Sequence, residues 1–146
     1  MKHGKLHSIL SAALLGLSAA AAFAAFGVTG LVAEAANPQT YNYGEFQYSY
    51  VAGNPNVTLT KYLGNSSSVS ISAYVPSPDG WKTVTAIGDS AFAFKTALNA
   101  VTIPTTVTEI GIMAFSECAL TQVVIPSSVS KVKRAAFSSV QALRPS

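Results

Sequence analysis

The feature that most constrains this chain is an internal repeat in its second half. The dipeptide Ala-Phe recurs at Phe92, Phe115 and Phe137, with spacings of 23 and 22 residues. Each phenylalanine has a β-branched residue five positions before it and a valine three positions before that. Such a period is typical of a solenoid, in which stacked units bury one another's apolar faces. The shared apolar positions predict a repeat core that consists of Ile87, Phe92, Leu98, Val101, Ile103, Ile110, Phe115, Leu120, Val123, Ile125, Val132 and Phe137.

One part of each unit reads as a strand. The pattern Leu-x-x-Val-x-Ile alternates as a half-buried strand does. It ends at Pro104 in one unit and at Pro126 in the next. Proline lacks the N–H group that a strand ladder needs, so we expect each strand to stop there.

The other part of each unit reads as a short extended piece followed by a bend. The pattern Val-x-x-Ile-Gly places Gly88 and Gly111 at the bend, whereas Lys133 stands there in the third unit. We therefore expect the third bend to differ. Asp89 and Ser90 suit the cap of a short helical turn that carries Ala-Phe.

These residues carry a family resemblance. The segments V-T-A-I-G-D-S-A-F (84–92) and V-T-E-I-G-I-M-A-F-S-E-C-A-L-T-Q-V-V-I-P (107–126) resemble the BspA-type leucine-rich repeat of bacterial cell-surface proteins. The resemblance covers Val84 to Leu143. It implies a β-rich solenoid of short strands with a short helical turn per repeat, over residues 83–146. Cys118 falls where that repeat often has cysteine, which favours a structural role.

The segment 36–82 has a different composition and predicts three strands. Apolar residues alternate with polar ones over 46–50, 57–62 and 69–75, and Gly- and Asn-rich turns separate these runs. We expect a small antiparallel sheet that caps the start of the solenoid, because an uncapped end would expose apolar surface and strand edges.

The N-terminus reads as a secretory signal peptide, residues 1–35, with a signal helix. Lys2 and Lys5 precede an uncharged apolar stretch from Leu6 to Ala33, and small residues then flank Glu34. Cleavage is expected between Ala35 and Ala36, and the product would be secreted or held at the cell surface. The alternative is an uncleaved anchor, since about 20 apolar residues cross a bilayer. This segment is the only contact with a membrane that we predict.

The remaining residues offer little chemistry. After residue 35 the chain has no histidine, one cysteine, seven basic side chains and five carboxylates. No nucleophile motif, phosphate-binding loop or metal-ligand spacing is present. The small basic cluster at 131–134 is better explained as a solvated turn. We therefore predict no enzyme activity, no cofactor, no metal and no nucleic-acid partner.

The resemblance implies a protein-interaction or adhesion module with a host, matrix or cell-surface protein as ligand. Outward strand positions would then carry the contacts, namely Asn99, Thr102, Thr121, Gln122 and Val124.

Two alternatives remain open. The first is a carbohydrate-binding module that uses the aromatic side chains of the first segment, namely Tyr41, Tyr43, Tyr62, Tyr74 and Trp81. The second is a truncated structural fragment without independent activity, because Leu143 is the last residue that matches the repeat and the third unit is incomplete. An open last coil would be poorly ordered or would associate.

Overall fold

The computed structural model describes residues 37–140, and this part of the chain consists of ten β-strands and turns without a helix. The predicted signal segment and Leu143 lie outside the described residues. The strands are β1 (Gln39–Tyr43), β2 (Phe46–Tyr50), β3 (Asn56–Tyr62), β4 (Ser68–Ser70), β5 (Tyr74–Ser77), β6 (Gly80–Ile87), β7 (Ala100–Thr102), β8 (Glu109–Ile110), β9 (Gln122–Val124) and β10 (Lys131–Val132).

The strands form two sheets, and the repeat determines the register of both. Sheet A has the order β1-β2-β3-β6-β8-β10, with β5 paired to β6. Sheet B is parallel and has the order β4-β7-β9. Ala100 pairs with Gln122 in sheet B, and Glu109 pairs with Lys131 in sheet A. Each coil therefore lies one repeat beyond the last, and the chain forms a β-rich solenoid of about three turns.

The first segment differs from the prediction at its end. Strands β1, β2 and β3 form an antiparallel meander, and β3 then pairs in parallel with β6. The single strand predicted over 69–75 is two strands, because the chain passes there from sheet B to sheet A. Val69 pairs with Val101, so β4 already belongs to the repeat sheet. The predicted boundary between residues 82 and 83 falls inside β6.

A column of aromatic rings fills the middle of the solenoid. The ring centres of Phe92 and Phe115 are 4.8 Å apart, and those of Phe115 and Phe137 are 5.2 Å apart. Tyr62 extends the column into the first segment, 5.3 Å from Phe92. Tyr62, Phe92 and Phe115 are fully buried. The rings are nearly parallel because successive coils place them at the same position in the repeat.

The predicted helical turn is wrong. Six non-glycine residues of the described part have a backbone φ between +54° and +62°, which is the left-handed region. Each of them lies two positions before or two positions after Phe92, Phe115 or Phe137. A right-handed helix needs negative φ, so these residues break it. Asp89 does not cap its own turn. Its Oδ1 accepts a hydrogen bond of 2.7 Å from the N–H of Ile112 in the next coil.

Two residues predicted as core are exposed. The exposed fractions are 40% for Ile125 and 50% for Val132, and Val123 and Phe137 are half-buried. The other predicted core residues are buried. All four exceptions lie in the last coil, which no further coil covers within residues 37–140.

The third bend holds Lys133 where the second holds Gly111, and the neighbouring side chain in the preceding coil differs as well. A Cβ on Gly111 would meet Asp89 Oδ1 at 2.5 Å. Ile112 takes the position of Asp89 one coil later, beside Lys133. The Lys133 side chain turns to Glu109, with Nζ 2.6 Å from the carboxylate.

Cys118 is buried and should be unreactive in the folded protein. Its thiol donates to the carbonyl oxygen of Phe92 at 3.0 Å, and burial raises the pKa of the thiol. The thiolate is the reactive form, so we expect almost no labelling by a disulfide reagent under native conditions and complete labelling in guanidinium. Rapid native labelling at the rate of a free thiol would contradict this assignment.

Candidate interaction face

The outer surface of sheet B gathers residues that face away from the core. Because strand side chains alternate, the first and third residues of β4, β7 and β9 point outward while the middle residues point inward. Val69 and Val101, two of the middle residues, are buried. The parallel register aligns the outward residues into two rows across the sheet. We call this surface the neutral face; its residues are Ser68, Ala100 and Gln122 in one row and Ser70, Thr102 and Val124 in the other.

The structure brings the predicted interaction residues to this region. Thr102, Gln122 and Val124 lie on the neutral face itself. Asn99 and Thr121 are exposed in the turns that lead into β7 and β9. They stack on each other, since the carbonyl oxygen of Asn99 accepts a hydrogen bond of 2.9 Å from the N–H of Thr121.

A shallow cleft of about 410 Å³ lies on this sheet, and the prediction missed part of its surroundings. Thr105 and Pro126 help to line it. Ser68 and Ser70 extend the face on the other side, yet the sequence prediction assigned them to the first segment. The signal was present, because S-V-S-I at 68–71 matches A-V-T-I at 100–103.

The neutral face carries no ionisable side chain, and its apolar content is concentrated at Val124, which is 69% exposed. Hydroxyl and amide groups surround that valine. Interface cores are depleted in charged residues, so this composition suits a protein partner more than a polyanion.

Glu109 pairs with two lysines of the basic cluster. Glu109 lies 2.6 Å from Lys133 and 3.5 Å from Lys131. The hydrogen bond from Lys133 lowers the pKa of Glu109. The basic cluster at 131–134 is therefore partly neutralised.

A second charged group lies within the first segment and joins the β2–β3 turn to the β5–β6 hairpin. Lys82 is buried, and its Nζ donates to the carbonyl oxygen of Asn54 at 2.7 Å and to Asp79 at 2.9 Å. Burial raises the pKa of Asp79, but hydrogen bonds from Ser77, Lys82 and the N–H of Gly53 outweigh it and hold the pKa at about 2.

This carboxylate should make stability depend on pH. The pKa of Asp79 in the folded state lies below the unfolded value of about 3.9, so its contribution is complete above that value and is lost as the pH falls towards 2. We expect the Asp79→Asn variant to melt at a lower temperature than the wild type at pH 6, and the difference to shrink as the pH falls from about 4 through 2. Parallel melting curves of the two proteins at every pH would contradict this.

The aromatic residues proposed for carbohydrate binding do not form one surface. Tyr62 is fully buried in the ring column and cannot stack on a sugar, so its candidacy was wrong. Tyr41 is half-buried against other tyrosines. Tyr43 is exposed on β1, while Tyr74 and Trp81 share the outer face of the β5–β6 hairpin.

Other kinds of site are not found among the described residues. No three His, Cys, Asp or Glu side chains between residues 37 and 140 are placed to hold a metal ion. Nor does this part of the chain contain a helix long and apolar enough to cross a bilayer.

Comparison with solved structures gives leucine-rich repeat proteins of bacteria. The leucine-rich repeat protein of T. pallidum has 24% identity and a TM-score of 0.60; the match covers 68% of this chain and 45% of that one. This chain therefore spans less than half the length of that protein. A leucine-rich repeat protein from Bacteroides capillosus has 31% identity and a TM-score of 0.49, over 66% of this chain and 65% of that one. Comparison with curated proteins gives no match.

A family model supplies the assignment. The model of the BspA-type leucine-rich repeat region matches residues 66–144 in six copies, which is more than half of the chain. The match begins just before β4, the strand with which the repeat sheet begins. The chain belongs to the BspA-type leucine-rich repeat family.

Proposed function

We propose that this chain is an exported, non-enzymatic interaction protein that binds a protein ligand through the neutral face. The observation that carries the proposal is the composition of that face: two rows of uncharged side chains, most of them polar and exposed, with the exposed Val124 at one end. The resemblance to bacterial surface proteins favours a matrix or cell-surface protein as the ligand. Solenoids suit such ligands because their sheets present extended surfaces.

Binding is tested with the full chain, after expression and purification, against a panel of purified matrix and cell-surface proteins on a biosensor. The Thr102→Arg variant places a charge in the middle of the neutral face. We expect it to weaken binding at least about tenfold, since a charge buried without a partner is costly at an interface.

The matched control is Thr40→Arg, the same change at an exposed position of β1. It should leave the affinity unchanged. Equal loss in both variants, or no loss in Thr102→Arg, would place the binding surface elsewhere.

Export is tested separately by mass spectrometry of the protein from the cells and from the medium. The signal-peptide pattern leads us to expect a chain that begins at Ala36. A product that keeps Met1–Ala35 in the membrane fraction would support the anchor alternative instead.

A further inference from the structure

A cleft of about 470 Å³ opens between the segment after β3 and the turn after Phe92. None of the residues that line it belongs to the neutral face. One wall is formed by Lys61, Tyr62, Asn65 and Ser66, and the other by residues 93–98. A concave site of this size accommodates a small ligand.

The most unusual residue in this cleft is Phe94. Its side chain is 74% exposed, and its φ is +62°. The corresponding residues of the next two coils, Glu117 and Ser139, share the left-handed backbone but are polar. A bulky aromatic residue rarely adopts this conformation. The left-handed backbone itself is a feature of all three coils and does not mark a ligand site. The exposed aromatic ring, which Phe94 alone carries at this position of the repeat, calls for a functional explanation.

Two lysines give the cleft its charge. Lys95 Nζ donates to the carbonyl oxygen of Gly64 at 2.8 Å and lies 5.1 Å from the centre of the Tyr62 ring, so its position is fixed before any ligand arrives. Lys61 is exposed on the opposite wall. Neither lysine forms an ion pair with a described carboxylate. Glu45, the carboxylate that touches this wall, accepts a hydrogen bond from the Tyr62 hydroxyl.

The remaining polar residues of the lining carry groups that bind hydroxyls. Asn65, Ser66 and Thr96 present amide and hydroxyl side chains, all on exposed residues. The N–H of Ser66 donates to the Tyr62 hydroxyl at 3.0 Å, which holds this wall in place. The cleft thus combines one exposed ring, two ammonium groups and several neutral hydrogen-bonding groups.

We propose that this cleft binds a carboxylated sugar residue of an acidic glycan. The apolar face of the sugar ring stacks on Phe94, its carboxylate pairs with Lys95 and Lys61, and its hydroxyls bond to the polar side chains. An acidic peptide fits less well, because a peptide anchor needs an enclosed apolar pocket. The apolar residues beside Phe94, Ala93 and Ala97, have side chains too short to enclose one. This proposal does not depend on the neutral face.

The test is calorimetric titration of the full chain with 3′-sialyllactose and with a hyaluronan tetrasaccharide, using lactose as the neutral control. We expect at least one acidic sugar to bind and lactose to bind at least about tenfold more weakly, as for loss of a charge-assisted hydrogen bond. Equal binding of lactose, failure of both acidic sugars, or tighter binding of hexaglutamate would overturn the proposal.

Variants locate the site. Phe94→Ser installs the residue found at the same position of the third coil and should reduce affinity about tenfold, as for loss of one aromatic contact. Lys61→Gln should also reduce the affinity about tenfold, and it should not disturb the wall that Lys95 holds. Trp81→Ser, which removes an exposed ring on β6, should leave affinity unchanged. Unchanged binding in Phe94→Ser and Lys61→Gln, with melting temperatures like the wild type, would contradict the assignment.

Discussion

Replacing Phe115 with alanine should remove a large part of the protein's stability. Phe115 is fully buried between the rings of Phe92 and Phe137, so its loss leaves a cavity that the stacked coils cannot fill by a local shift. Truncation of such a residue costs about 3–5 kcal/mol, whereas small domains have only about 5–15 kcal/mol of stability. Urea titration followed by circular dichroism measures the difference in free energy of unfolding.

The control for this change is Phe94→Ser. The same residue type is removed from the corresponding turn of the neighbouring coil, but Phe94 is mostly exposed and outside the ring column. Its effect should stay within about 0.5 kcal/mol of the wild type, as for most surface changes. If the two variants unfold at the same urea concentration, the ring column does not stabilise the solenoid as described.

Replacing Gly111 with alanine should also be strongly destabilising. The added Cβ would lie 2.5 Å from Asp89 Oδ1 and 2.6 Å from both the nitrogen of Asp89 and the carbonyl carbon of Gly88. Relief of this clash must move the backbone of the neighbouring coil and release the hydrogen bond from Ile112 to Asp89. Overpacking and the lost bond together should cost at least about 2 kcal/mol, measured by urea unfolding.

Gly88 offers the matched comparison, at the same position one coil earlier. A Cβ there would meet its nearest atom, the carbonyl oxygen of Leu59, at 3.1 Å. A shift of a few tenths of an ångström relieves that contact, so Gly88→Ala should cost less than about 1 kcal/mol. If the Gly111→Ala variant were as stable as the Gly88→Ala variant, the coils would not be packed as tightly as the structure places them.

The sequence predicts the part of the fold that depends on periodicity. Phe92, Phe115 and Phe137 occupy the same position of successive repeats, so their stacking follows once the coils stack in register. The same argument places Val101 beneath the surface and Thr102 upon it, because strand side chains alternate. Most of the candidate face follows from this alternation.

The conformation of the turns could not be predicted in this way. The residues around Phe92 suit a helical turn locally, but the N–H of Phe92 bonds to Ala114 in the next coil at 2.7 Å, and the N–H of Phe94 bonds to Ser116. These contacts join residues 22 positions apart and favour left-handed φ at the flanking residues. Helix propensity depends on residues that are neighbours in the sequence, so it cannot predict bonds between successive coils.

The cleft at Phe94 could not be predicted from the sequence either. Its two lysines are separated by 34 positions and lie in segments with different patterns, so no motif joins them. The sequence also does not reveal that Phe94 is exposed, because Phe92 is the same residue type two positions earlier and is buried.

The central claim is that the neutral face is the surface that binds a protein ligand. Methyl NMR spectra of the labelled chain, recorded with the panel protein that binds most tightly, test it most directly. We expect the signals of Val124 and Thr102 to shift on binding, while those of Val75 in the β5–β6 hairpin should not. Shifts confined to the hairpin or to the cleft at Phe94, with Val124 unchanged, would contradict it.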